Sequence, residues 1–112
     1  MNSLEKGKRG EREAAKAMAE HLGCVAKRGV QYQGGVDSPD VVHNIAGLHV
    51  EVKRAERVQL QAWMEQSIRD AGAQIPTVLH RKNNTEWLLT VRLCDAARLA
   101  EIINSQASEV GQ

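Results

Sequence analysis

The chain of 112 residues carries 15 Lys and Arg against 14 Asp and Glu, and 42% of it is hydrophobic. That length fits one domain, and that balance excludes a disordered tail, a collagen-like repeat and a protein held to nucleic acid by net charge alone. Apolar runs of only a few residues exclude a membrane-spanning helix. Met1-Asn2-Ser3-Leu4-Glu5-Lys6 has no secretory-signal character, and two cysteines without an export signal fit a reducing cytoplasm. Tyr32, Trp63 and Trp87 are the aromatic residues, so the core rests on Val, Leu, Ile, Ala and Met. A core that thin would gain from dimerisation.

In chain order, residues 7–22 are predicted helical, with Ala15, Met18 and Leu22 at helical spacing and Gly23 as a stop. Cys24 to Val30 alternates weakly, as a short strand would, and Gln31 to Ser38 with Gly34-Gly35 is a loop. Asp40-Val41-Val42-His43 and Leu48 to Lys53 are strand-like runs joined by a turn near Asn44–Gly47, as in a hairpin. Val58 to Ala71 returns to a helical period, with Leu60, Met64, Ser67 and Ala71 on one stripe. Pro76–His80 and Trp87–Leu93 form two more strands around a polar turn at residues 81–85. Asp95 can cap a last helix carrying Ala96, Leu99, Ala100 and Ile103. The order α-β-β-β-α-β-β-α describes a mixed α/β domain over residues 1–104, with a frayed tail over 105–112.

Split along the chain, the charge is uneven. Residues 1–35 hold seven basic and four acidic groups. Residues 36–56 hold Asp37, Asp40, Glu51 and Glu56 against Lys53 and Arg54. Near-neutrality therefore conceals a basic arm and an acidic centre, the two signs needed to bind phosphates and hold a cation.

Within that centre, Glu51 and Lys53 share one face of a strand while Val50 and Val52 face the core. Asp40 opens the preceding strand, and a hairpin would set its carboxylate beside Glu51. Converging carboxylates repel unless a proton or cation separates them, and oxygen ligands suit Mg2+ or Mn2+. Lys53 could orient an attacking water or steady developing charge. Taken alone, Glu-x-Lys on a strand is more often a solvated pair, and Pro-Asp is more often turn chemistry. At about 100° per residue, Glu11 falls on the apolar stripe of the first helix, a costly place for an acid without a partner, whereas Glu13 falls on the charged side. The bland alternative for Glu11 is a favourable charge in the helix's first turn.

Lys6-Gly7-Lys8-Arg9-Gly10-Glu11-Arg12-Glu13, Pro39-Asp40 and Glu51-Val52-Lys53 together resemble the PD-(D/E)xK nuclease superfamily. They are most similar to its small archaeal-type Holliday junction resolvases and the resolvase-like endonucleases of phages. The resemblance implies a restriction-endonuclease-like mixed β-sheet flanked by helices. It implies Glu11, Asp40 and Glu51 around a Mg2+ ion (Mn2+ as substitute), the main-chain carbonyl of Val52 as a further ligand, and Lys53 beside the attacking water. It also implies DNA as partner, a homodimer for branched DNA, and a bacterial or phage-infected host cytoplasm. The loop supplies two aspartates; Asp40 is favoured by Pro39 before it and Val-Val after it, with Asp37 as a supporting group.

Gln66 on the second helix is a candidate support for the site, against the plainer reading of an exposed polar face. Lys6, Lys8, Arg9, Arg12, Lys27, Arg28, His80, Arg81 and Lys82 are candidate DNA-backbone contacts. His43 and His49 lack a metal-ligand spacing partner, which favours neutral structural roles, and Cys24 and Cys94 read as small buried groups. The expected activity is metal-dependent, structure-selective hydrolysis of DNA. The alternatives are a nicking or weakly specific duplex nuclease, or a non-catalytic DNA-binding or assembly module on the same fold.

Overall fold

The computed structural model describes the backbone of residues 3–29 and 40–110, and the side chains of residues 9–29 and 40–105. In chain order the elements are α1 (Ser3–Leu22), β1 (Ala26–Arg28), β2 (Val41–His43), β3 (Leu48–Arg54), α2 (Leu60–Ala71), β4 (Ile75–Arg81), β5 (Leu88–Val91), a 3-10 turn (Leu93–Asp95) and α3 (Ala96–Val110). The expected α-β-β-β-α-β-β-α order and mixed α/β class are observed. α1 begins before residue 7, and α3 runs to Val110, past residue 105 where the sequence sets the tail.

The stripe of α1 explains its position. Ala14, Ala15 and Met18 are buried against Val41, Leu48, Val50, Ile75 and Leu79, and Leu99 of α3 joins the same cluster. Gly23 ends α1 at φ 65°, a left-handed conformation that glycine adopts without a Cβ penalty. Gly10 brings α1 close to β3, because a Cβ there would lie 3.3 Å from Cβ of Arg54.

β3 and β4 are parallel, joined by the crossover through α2, and β5 adds antiparallel to the far side of β4. β4 is thus central, and every residue from Ile75 to His80 is buried. Pro76 is tolerated near its start because β5 pairs only with Thr77 to His80. Two side-chain hydrogen bonds run in series, the first from α2 to β4 and the second from β4 to β3. Ser67 Oγ donates to the Thr77 carbonyl at 2.8 Å, and Thr77 Oγ1 donates to the His49 carbonyl at 2.7 Å.

Three expectations need correction. β2 does not form a ladder with β3; it pairs antiparallel with β1, Arg28 opposite Val41 and Ala26 opposite His43. The reason lies in Asn44, which accepts a hydrogen bond from the Val25 N–H at 3.0 Å and donates its own N–H to the Val25 carbonyl at 3.2 Å. The turn after β2 is thereby tied to β1. Asp95 gives its carboxylate to Arg92 Nε at 2.9 Å, where the sequence casts it as a helix cap. Cys24 is buried as expected, but Cys94 is exposed.

Ile75 is only 1% exposed, at the start of the central strand. Ile75→Ala should destabilise the protein by about 2–5 kcal/mol through lost burial and a residual cavity. Urea unfolding monitored by circular dichroism checks this; an unchanged midpoint would place Ile75 outside the core.

Candidate active site and metal centre

The Asp40 carboxylate is set by backbone hydrogen bonds, and that of Glu51 by its place on β3. The Asp40 carbonyl accepts the Gly29 N–H at 2.9 Å, at the end of the β1–β2 ladder. From that anchor its carboxylate reaches β3 and accepts the Val52 N–H at 3.0 Å. β3 lies at one edge of its three-stranded sheet, so this N–H has no strand to pair with among the described residues. The N–H and C=O of one strand residue project to the same edge, which directs the Val52 carbonyl toward Asp40 as well.

Alternation on β3 places His49, Glu51 and Lys53 on one face, the face that α2 covers. Glu51 is consequently 5% exposed, far from the solvated pair that Glu-x-Lys usually signifies. Lys53 Nζ lies 3.8 Å from Glu51 Oε1 and donates to Gln66 Oε1 at 3.1 Å. Gln66 thus sets the direction of the lysine head group, and Lys53 ties α2 to the acidic centre. Glu11 is half-buried on α1, 3.7 Å from Arg28 Nη1 on β1.

Burial pushes the Asp40 carboxyl up to about 7, with the charges of Glu51 and Glu11 adding to the rise and the Val52 N–H opposing it. For Glu51, burial acts in the same upward direction, but His49, Lys53 and Asp40 outweigh it and hold Glu51 below its usual range. In the metal-free protein the pair therefore shares one proton near neutral pH. Such a pair is suited to exchanging that proton for a divalent cation, and its oxygen donors fit Mg2+ or Mn2+.

Over residues 2–111, nearly its whole length, the chain matches the family described as "Phage putative PDDEXK endonuclease". The chain belongs to that family. Its fold is similar to that of Archaeoglobus fulgidus Hjc, a Holliday junction resolvase from an archaeal hyperthermophile. The two are 20% identical with a TM-score of 0.51, over 77% of this chain and 72% of that one. A search of the curated proteins returned no match. As a member of the PDDEXK endonuclease family the chain is a nuclease, and the letters of that name match Pro39-Asp40 and Glu51-Val52-Lys53 in order.

The remaining candidates divide sharply. Arg9, Arg12, Lys27 and Lys82 are exposed, as phosphate contacts would be. Arg28 is paired with Glu11. Arg81 stacks on Trp87, 5.6 Å from the ring centroid, and lies 4.0 Å from Glu13 Oε1. His80 is not a surface contact: it is buried in β4, its Nε2 2.8 Å from Thr90 Oγ1 and its ring 5.7 Å from that of Trp63. The central strand runs one residue past His80, and the exposed turn starts only at Lys82. Asp37 lies outside the described residues, as do the side chains of Lys6 and Lys8.

Two groupings lay beyond the sequence reading. Glu13, expected on the charged side of α1, turns its Oε1 inward to within 3.4 Å of Arg54 Nε, fixing α1 against the end of β3. His49, expected to lack metal partners, converges with Glu51 and with Asp70 of α2. No sequence spacing reveals this, because the third group comes from another element.

The sign of the pH effect follows from Asp40. Between about pH 4 and 7 the folded, metal-free chain retains a proton that the unfolded chain has lost, so Asp40's contribution to stability falls as pH rises through that window. Asp40→Asn keeps an acceptor for the Val52 N–H and carries no charge. It should raise the melting temperature at pH 8 in EDTA, by roughly 4–8 °C for each kcal/mol relieved, with little change at pH 4. Differential scanning calorimetry at both pH values checks it; equal shifts would exclude a buried charge as the cause.

Proposed function

We propose that this nuclease is a Mg2+-dependent endonuclease that hydrolyses DNA phosphodiesters, selective for branched DNA in the manner of a Holliday junction resolvase. The observation that carries the reading is the convergence of Asp40 and Glu51 around the Val52 backbone, with Lys53 held beside Glu51 by Gln66.

Asp40, Glu51, Glu11 and the Val52 carbonyl would hold the ion, which when bound neutralises phosphate charge and lowers the pKa of water. The protein's own groups do the rest. The Lys53 ammonium is fixed by Gln66 and Glu51, so it meets a non-bridging phosphate oxygen with little conformational freedom left to lose and steadies the charge that grows there. Water gives up a proton to the surrounding solvent as its oxygen bonds to phosphorus, the bond to the leaving sugar oxygen breaks, and that oxygen takes up a proton from solvent. The exposed Arg9, Arg12, Lys27 and Lys82 grip flanking phosphates in a salt-dependent way.

A domain this small has little surface for reading base sequence, which favours recognition of DNA shape. Resolving a four-way junction takes two symmetric cuts, and a C2 homodimer supplies two sites in the matching arrangement.

Purified protein with Mg2+ should cleave a four-way junction in preference to a flap or a linear duplex, and EDTA should stop it. Asp40→Ala, Glu51→Ala and Lys53→Met should each lower the rate by roughly 100-fold or more, equivalent to about 2.7 kcal/mol of transition-state stabilisation. Preferential cleavage of linear duplex would replace the resolvase reading by that of a general nuclease. Junction binding without cleavage under any metal would replace both by an assembly module.

A further inference from the structure

We propose that His49, Glu51 and Asp70 form a second cation position, one that takes a divalent transition-metal ion such as Zn2+ or Mn2+. One ligand atom from each residue lies within 4.8 Å of the other two. Donors on a single ion at about 2.0–2.2 Å can be no more than roughly 4.4 Å apart, so a small rotation of the exposed Asp70 side chain closes the set.

The independent observation is the imidazole. His49 is nine-tenths buried, and its Nε2 is shielded from solvent without a hydrogen-bond partner. That nitrogen lies 3.6 Å from Glu51 Oε2, too far for a hydrogen bond and close enough to share an ion. Two other histidines behave differently: His43 Nδ1 accepts the Ile45 N–H at 3.1 Å, and His80 Nε2 lies 2.8 Å from Thr90 Oγ1. A buried polar atom left unpaired in a packed protein calls for an occupant; this one points toward the Glu51 carboxylate, and the imidazole lies in one cluster with the carboxylate of Asp70.

The arrangement is built by two elements that run along each other. Gln66 and Asp70, one helical turn apart on α2, face Lys53 and then His49 and Glu51 on β3. The same strand face thus serves two purposes, and Glu51 belongs to both. An all-oxygen set at Asp40 and Glu51 suits hard ions, whereas a nitrogen donor favours metals later in the first transition row over Mg2+. The position stands without the nuclease reading; only its effect on cleavage, through the shared Glu51, rests on it.

The test needs no DNA. The full chain labelled with [15N]histidine is titrated with Zn2+ at pH 7.5, and separately with Mg2+. The expected result is a shift of the His49 ring nitrogen, assigned by its loss in His49→Gln, with Zn2+ but not with the same concentration of Mg2+. Calorimetric titration should show Zn2+ affinity lowered at least about tenfold in Asp70→Asn. Asp70 is exposed, so that variant keeps the test valid if His49→Gln fails to fold. A His49 resonance unmoved by Zn2+, or equal affinity in wild type and Asp70→Asn, would overturn the proposal and leave His49 as an ion-pair partner of Glu51. Because cleavage in Mg2+ is measured separately, its absence would sink the nuclease reading without touching this one.

Discussion

The hydrogen bond from the Val52 N–H to the Asp40 carboxylate joins two sheets that share no strand ladder. An edge strand exposes a row of unpaired N–H and C=O groups that can template unwanted pairing. Here one of those groups receives an acid instead of another strand. The consequence is chemical as much as structural. Asp40 is drawn out of water toward Glu51, and its carboxyl rises to about 7. A paired backbone at Val52 would have removed both the anchor and the open carbonyl beside it.

Charge in this protein is spent largely on architecture. Arg28 is engaged by Glu11, while Arg54 and Arg81 both lie near the inward-turned Glu13. These pairs hold α1 to β1 and to the ends of β3 and β4. They also mean that a count of basic residues overstates what is left for a polyanion, because the half-buried arginines are already answered by acids. Arg9, Arg12, Lys27 and Lys82 remain exposed, a distribution that the net charge of +1 does not reveal.

What was legible in the sequence was periodic. The alternation around Glu51 and the stripe through Ala15, Met18 and Leu22 fixed the inward faces of β3 and α1, and with them the acidic centre. What was illegible depended on pairings between distant elements. A turn at Asn44–Gly47 looks like a hairpin connection, but Asn44 bonds back to Val25 and sends β2 to β1. His80 looks like the start of a basic turn, yet it lies inside the central strand, where polar residues are buried with partners. His49 and Asp70 are separated by a strand end, a loop and most of a helix, so only the packing of α2 on β3 reveals them as neighbours.

That packing is itself held by polar contacts placed where apolar ones would give less precision. The N-terminal flank of α2, Gln59, makes no side-chain capping bond, so the helix is located by its contacts with the sheet rather than by its own start. Ser67 fastens it to β4 and Thr77 fastens β4 to β3, both fully buried and both donating to strand carbonyls. A slide of α2 by one residue would break the Ser67 bond inside the core, where an unpaired hydroxyl and carbonyl are costly. The same slide would carry Gln66 away from Lys53 and Asp70 away from His49. Two hydroxyls remote from the acids therefore fix the register on which the orientation of Lys53 depends, and sites carried on rigid elements hold their geometry better than sites on loops.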